Sequence, residues 1–234
     1  MKKVVLAFIM FFVMTSASFA DSNVYITQSG ASLDLDITLD GNGNAVGASN
    51  DRTLLTGANL DVDIDLIGAT NTITGDFIGA GESGSDDLKI NQTGSTNTTA
   101  LNVGASAATD DVSIIENREG SSGVTTYTIG SAATVQDVTV TVDVVGDDID
   151  IALTENSSSS GSDKTTDIDM ATDSDDVDIV VIHTGAGAHK TKLLCTGACG
   201  TSDFTFSQTG ANSTDVDLVV TNAAGSDVDI TITD

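Results

Sequence analysis

The sequence predicts an all-β fold, a β-solenoid of stacked strand-turn-strand repeats of about 24–27 residues that follows an N-terminal signal peptide. Three observations carry this. Apolar and polar residues alternate strictly over many short stretches, these stretches recur at a near-constant interval, and the 234 residues contain no proline. Alternation places successive side chains on opposite faces of a strand. Proline would remove a donor from a strand ladder, so its absence leaves every stretch free to pair.

The leader comes first. Lys2 and Lys3 precede an apolar run from Val4 to Met14, and small residues lead to Ala20, which is the order of a secretory signal with cleavage after Ala20. Residues 21–234 then form one repeat domain. No later stretch is long and apolar enough to span a bilayer. The mature chain is therefore expected to be secreted, extracellular or at the cell surface, and not membrane-spanning. Losing the two lysines takes the formal charge from −27 to −29. A field of that sign repels phosphate backbones and argues against nucleic acid as a partner. The acids alternate with Val, Ile and Leu instead of forming a block, as an ordered strand with one charged face requires.

The repeats follow in order. Alternating strands, usually preceded by Asp, begin at Leu35, Val62, Leu88, Val112, Val138, Val177, Phe204 and Val228, at intervals of 27, 26, 24, 26, 39, 27 and 24. A weaker second strand follows in several units: Ile73 to Ile78, Leu101 to Val103, Tyr127 to Ile129 and Val216 to Val220. The 39-residue interval reads as an extra pass, with one strand at Ile149, Ile151 and Leu153, another at Ile168 and Met170, and a Ser-rich loop from Asn156 to Lys164 between them. In the first repeat Leu33, Leu35, Ile37 and Leu39 share one face while Asp34, Asp36, Thr38 and Asp40 share the other. One such unit cannot bury its apolar face alone, whereas stacked units close a continuous core. Each buried Val, Leu or Ile then contributes roughly 1.5–3 kcal/mol.

Three units share a finer pattern. Ser22, Gln28 and Gly30 stand in the spacing Ser-x5-Gln-x-Gly, and Ser202, Gln208 and Gly210 repeat it unchanged. Asp86, Gln92, Gly94 and Asn97 repeat it with Asp for Ser and add a Gly-x-x-Asn ending. In this pattern the chain resembles the curlin repeat of curli fibre subunits, the functional amyloid of bacterial biofilms. The resemblance implies two-strand coils stacked as a solenoid, secretion, and self-association into fibres at the cell surface or in a matrix. Ser22, Val24, Ile26 and Gln28 alternate and so face inward together, where stacked glutamines would form an amide ladder. At the glutamine position the other units align Leu39, Leu66, Glu116, Val142, His183 and Ile232.

Candidate chemistry is sparse. Cys195 and Cys199 enclose Thr-Gly-Ala, and in an exported chain such a pair reads first as a small-loop disulfide. A zinc site that adds His183 and His189 is the competing reading. His183, aligned with the glutamines, reads as an inward hydrogen-bonding substitute, and His189 as part of a basic turn with Lys190 and Lys192. Asp40, Asn42 and Asn44 alternate as in a calcium loop, but Ala45 stands where such a loop needs Gly, so an ordinary turn fits better. The outward Asp rows, such as Asp61, Asp63 and Asp65, would bind calcium weakly or serve to keep strand edges soluble. No cofactor is implied. Neither a Ser-His-Asp arrangement nor a phosphate-loop pattern is present, and paired carboxylates are too numerous to single one out. The expected function is therefore non-enzymatic: a fibre or matrix subunit built by head-to-tail stacking, or else a monomeric acidic solenoid that binds calcium, a glycan or a surface.

Overall fold

In a computed structural model, the residues described are 22–29, 33–47, 53–57, 59–79, 86–104, 111–130, 137–156, 163–170, 174–196, 199–210, 213–221, 225 and 227–233. Residues 1–20, expected from the sequence to be a leader, and Gly30 lie outside them. The first strands are β1 (Ser22–Val24), β2 (Thr27–Ser29), β3 (Leu33–Asp40), β4 (Gly43–Val46) and β5 (Thr53–Gly57). Regular coils follow: β6 (Leu60–Ile67) with β7 (Thr70–Gly79), β8 (Asp86–Thr93) with β9 (Thr96–Val103), β10 (Val112–Glu119) with β11 (Ser122–Ile129), and β12 (Val138–Val145) with β13 (Asp148–Asn156). The last are β14 (Lys164–Met170) with β15 (Ser174–Thr184), β16 (Ala188–Cys195) with β17 (Cys199–Thr209), and β18 (Ser213–Val220) with β19 (Asp227–Thr233).

All described pairings are parallel, and they form two sheets. One sheet runs in the order β3, β6, β8, β10, β12, β14, β16, β18, and the other carries the alternate strands from β1 to β19. Each strand pairs with the equivalent strand of the next coil, so the chain is a parallel β-solenoid. No helix among the described residues is long and apolar enough to cross a membrane.

The inward rows of the two sheets form one apolar cluster. A row in the first sheet passes through Ile37, Ile64, Ile90, Glu116, Val142, Ile168, Leu193 and Leu218. The alternation read from the sequence is visible in β6, where Leu60, Val62, Ile64 and Leu66 are buried and Asp61 is exposed. Outward carboxylates consequently stack as well. Asp61 lies between Asp34 and Asp87 in the ladder, and partial desolvation together with these like charges raises its pKa.

The pairing register resolves the 39-residue interval. From Val138 the chain crosses to the other sheet at Ile149, and Ile149 pairs with Val177, 28 residues further on. The strongest alternation has moved from one sheet to the other, so the interval spans a crossing and one full coil instead of a longer repeat. Val216 to Val220 accordingly belongs to the first sheet, against β16, and takes the first-strand place in its coil. Lys164, read from the sequence as loop, opens β14 and is buried.

Candidate functional site

Two features of the interior are polar, and both depend on the register. The first is a ladder at the corner between sheets. Asn44, Asn71 and Asn97 occupy successive coils, each three residues after a glycine, Gly41, Gly68 and Gly94. All three side chains are buried. Asn44 Nδ2 donates to Asn71 Oδ1 at 3.0 Å and Asn71 Nδ2 to Asn97 Oδ1 at 2.9 Å. Asn44 Nδ2 also donates to the Ile67 carbonyl at 2.9 Å, Asn71 Nδ2 to that of Thr93 at 3.1 Å, and Asn97 Nδ2 to that of Glu119 at 3.1 Å. Each of these carbonyls also accepts from the backbone of Gly41, Gly68 or Gly94, so the ladder adds a second hydrogen bond at each strand end.

Asn44 therefore points into the core and is not available to an outward calcium loop with Asp40 and Asn42. Of this ladder the curlin pattern picked out Asn97 alone. Gly-x-x-Asn repeated at intervals of 27 and 26 residues was the signal for the other two. Replacing Asn71 by Leu is expected to cost roughly 2–3 kcal/mol in urea unfolding, since the acceptor of Asn44, the donor to Asn97 and the donor to Thr93 all vanish. Asn44→Leu, at the end of the ladder, should cost visibly less. Equal losses would show that the amides do not act as a ladder.

The glutamines do not stack on one another. Gln28 pairs with Leu55 and Gln208 with His183 and Ile232, at opposite ends of the same sheet. Gln92 lies in the other sheet between Leu66 and Arg118. Glu116 and Val142, aligned with the glutamines from the sequence, sit one inward position earlier, level with Ile90. Whole-chain register decides this, and local spacing does not reveal it. Ser22 and Ser202 both lie on the Asn row, Ser22 against Asn44 and Ser202 against Val177. Gly94 closes β8, and Gly210 closes β17 at a φ of +77°.

The second feature is a pair of buried polar clusters between the sheets. In the first, both oxygens of Glu116 are held: Thr99 Oγ1 donates to Oε1 at 2.9 Å, Thr125 Oγ1 lies 3.0 Å from each oxygen, and Tyr127 donates to Oε2 at 2.8 Å. Arg118 Nη1 donates to Thr125 Oγ1 at 2.7 Å. Burial lowers the Arg118 pKa against the pull of Glu116. Burial, and next the Glu116 charge, hold the Tyr127 hydroxyl well above its usual value, so it remains a donor.

The second cluster joins Glu155, Lys164, Thr166, His183 and His189, all 1 % exposed or less. His183 Nε2 lies 3.0 Å from Thr166 Oγ1 and 3.3 Å from Glu155 Oε2, and Thr166 Oγ1 is 3.4 Å from Glu155 Oε1. One coil on, Gln208 Nε2 donates to Thr191 Oγ1 at 3.0 Å. Burial lifts the Glu155 carboxyl to about 8, although Lys164 and the Thr166 hydrogen bond pull it down. Burial pushes His183 to about 3, helped by His189 and Lys164. His189 falls for the same first reason. At neutral pH both rings are uncharged and Glu155 is largely protonated.

His189 lies in β16 and faces the core, its ring centroid 5.5 Å from that of His183, so it is not part of a basic turn. The neighbouring Lys192 does face outward, onto Asp167 at 2.9 Å. A disulfide joins Cys195 and Cys199, which removes both thiolates from any zinc site. Among the described residues no group of three or more His, Cys, Asp or Glu side chains could hold a metal ion. No family model, no curated protein and no solved structure matches this chain.

Proposed function

We propose that this chain is a secreted structural or adhesive protein, a curlin-like subunit that builds an extracellular fibre by head-to-tail stacking of its coils. One observation carries the reading. The last described strand, β19, leaves Val228, Ile230 and Ile232 40 %, 47 % and 51 % exposed, although these residues continue the inward rows of Phe204, Phe206 and Gln208. At the other end Val24 and Ile26 on the same rows are part-buried, as are Leu35 and Leu39 opposite them. A second copy placed with its first coil on β18 and β19 would extend both parallel sheets without changing register.

Completing the burial of the three β19 side chains contributes roughly 1 kcal/mol each. Such a heterologous contact does not close and so generates filaments. Acidic rows oppose it: Asp215 and Asp217 on β18 would meet Asp34 and Asp36 of the next copy, because these residues occupy equivalent ladder positions. Screening within about 8 Å at physiological salt relieves that repulsion, so assembly should strengthen with salt or calcium.

Electron microscopy of the purified chain across a salt titration tests the proposal. Filaments are expected that bind thioflavin, and Ile230→Asp should abolish them while leaving a folded monomer. Isolated rods at every salt and calcium concentration would instead favour the second reading, a monomeric acidic solenoid that binds calcium or a glycan at a surface.

A further inference from the structure

The two buried carboxyl groups differ in one respect that packing does not explain. Glu116 accepts hydrogen bonds at both oxygens. Glu155 is equally buried, yet its Oε2 accepts none, and beside it His183 Nδ1 is also without a hydrogen-bond partner. A buried polar group left unpaired costs more than a hydrogen bond returns, so two of them on adjoining side chains call for a reason beyond stability.

The geometry around Thr166 supplies one. Its hydroxyl oxygen has an imidazole nitrogen on one side, His183 Nε2 at 3.0 Å, and a carboxyl group on the other, Glu155 Oε1 at 3.4 Å. The same Nε2 is 3.3 Å from the second carboxyl oxygen. We propose that Thr166 and Glu155 join in an ester bond formed by the protein itself, with His183 as the proton carrier. Thr166 Oγ1 attacks Glu155 Cδ while its proton passes to His183 Nε2. The Cδ–Oε2 bond then breaks, the proton is handed to the departing Oε2, and one water leaves. No oxidant, metal or nucleotide is required, and atoms and charge balance.

The surroundings bear on each step. The protonated carboxyl, which burial maintains near neutral pH, is an electrophile, whereas a carboxylate is not. The neutral imidazole has a free lone pair at Nε2 when Nδ1 carries its proton, and because burial holds His183 near 3 it relays the proton to Oε2 without accumulating as imidazolium. The Thr166 hydroxyl lies 3.4 Å from the carboxyl oxygen Oε1, so attack on Cδ is an intramolecular step, of the kind whose effective concentration reaches on the order of 10⁵ M once the reacting atoms align. Thr166, Glu155 and His183 are all 0 % exposed, so bulk water cannot readily reach the ester to reverse it. Glu155 ends β13 in one sheet and Thr166 lies in β14 of the other. The bond would therefore stitch the two walls of the solenoid together across the core, independently of whether the chain polymerises.

Mass spectrometry of the folded, purified chain decides the matter, with peptide mapping across residues 155 and 166. The expected mass is one water below that of the disulfide-bonded sequence, and hydroxylamine, which cleaves esters, should open the link. Thr166→Val, which keeps the shape and removes the nucleophile, should restore the full mass. His183→Phe, with both reactants retained, should accumulate the unjoined form. A wild-type chain at full mass overturns the proposal. So does a water loss that persists in Thr166→Val, which would put the bond elsewhere, for instance at Lys164. A loss of ammonia would overturn it too, since that is the product expected of Thr191 with Gln208.

Discussion

Replacing Gly94 by Ala is expected to destabilise the solenoid by on the order of 4 kcal/mol, among the largest losses a single methyl can cause. A Cβ at this position would lie 1.8 Å from the Gly68 carbonyl oxygen, 2.9 Å from Asn71 Nδ2 and 3.0 Å from the Gly68 carbonyl carbon. The obstacles are backbone and ladder atoms, so no rotamer change relieves the clash. Stacked glycines recur at this corner, where a Cβ on Gly68, Gly120 or Gly146 would come within 2.0–2.1 Å of the carbonyl oxygen of the coil before. Opening the corner to admit a methyl would also strain the hydrogen bond from Gly94 to the Glu119 carbonyl, 2.9 Å, and both amide contacts of Asn71. Gly210→Ala provides the control. There a Cβ would be 3.4 Å from the nearest atom, and the penalty comes from the left-handed backbone, about 1–2 kcal/mol. Urea unfolding of the two variants should rank Gly94→Ala well below Gly210→Ala. The opposite order would mean that the corner is looser than the stacked carbonyls require.

The two-residue alternation made the strands legible, because each Asp between apolar neighbours marks an outward position, and the burial patterns of β3 and β6 follow from it. Which strand stacks on which was less accessible. The run from Val138 to Val177 shows why: alternation is strong in one sheet up to β12 and strong in the other from β15 onward, so tracking the strongest stretches crosses between sheets without a mark in the sequence. The same phase change separates Gln92 from Gln208, while Gln28, in β2, stands in the second sheet from the start, so Gln92 shares their spacing but not their row. Inward polar residues were harder still. Glu155, Lys164 and Thr166 occupy inward places within or beside a Ser-rich stretch, where a polar residue looks like loop. Their meeting with His183 depends on a contact between coils, which local spacing does not encode.

Glu116→Leu is expected to cost about 3–5 kcal/mol, the penalty for breaking a buried ionic pair by removing one member. The substitution removes the acceptor of the Thr99, Thr125 and Tyr127 hydroxyls and leaves the Arg118 guanidinium in the core without its counter-charge. Arg118 cannot readily withdraw, because it packs over Gly123, where a Cβ would lie 2.6 Å from its Cζ. A double variant, Glu116→Leu with Arg118→Met, removes both charges at nearly conserved volume, and it should recover roughly 2 kcal/mol of the loss. A double variant no more stable than the single one would show that the two charges are not coupled. A stabilised double variant would carry a further consequence. Ile90 and Val142, on the same row as Glu116, are interchangeable in a stack, and a strand shifted by two residues would still bury an apolar face. A shift of that size would take Glu116 away from the hydroxyls of Thr99, Thr125 and Tyr127, so the buried carboxylate penalises slippage that the apolar rows alone would tolerate. In a solenoid whose coils are otherwise alike, such a residue fixes the order of stacking even where a hydrocarbon side chain would give the more stable core.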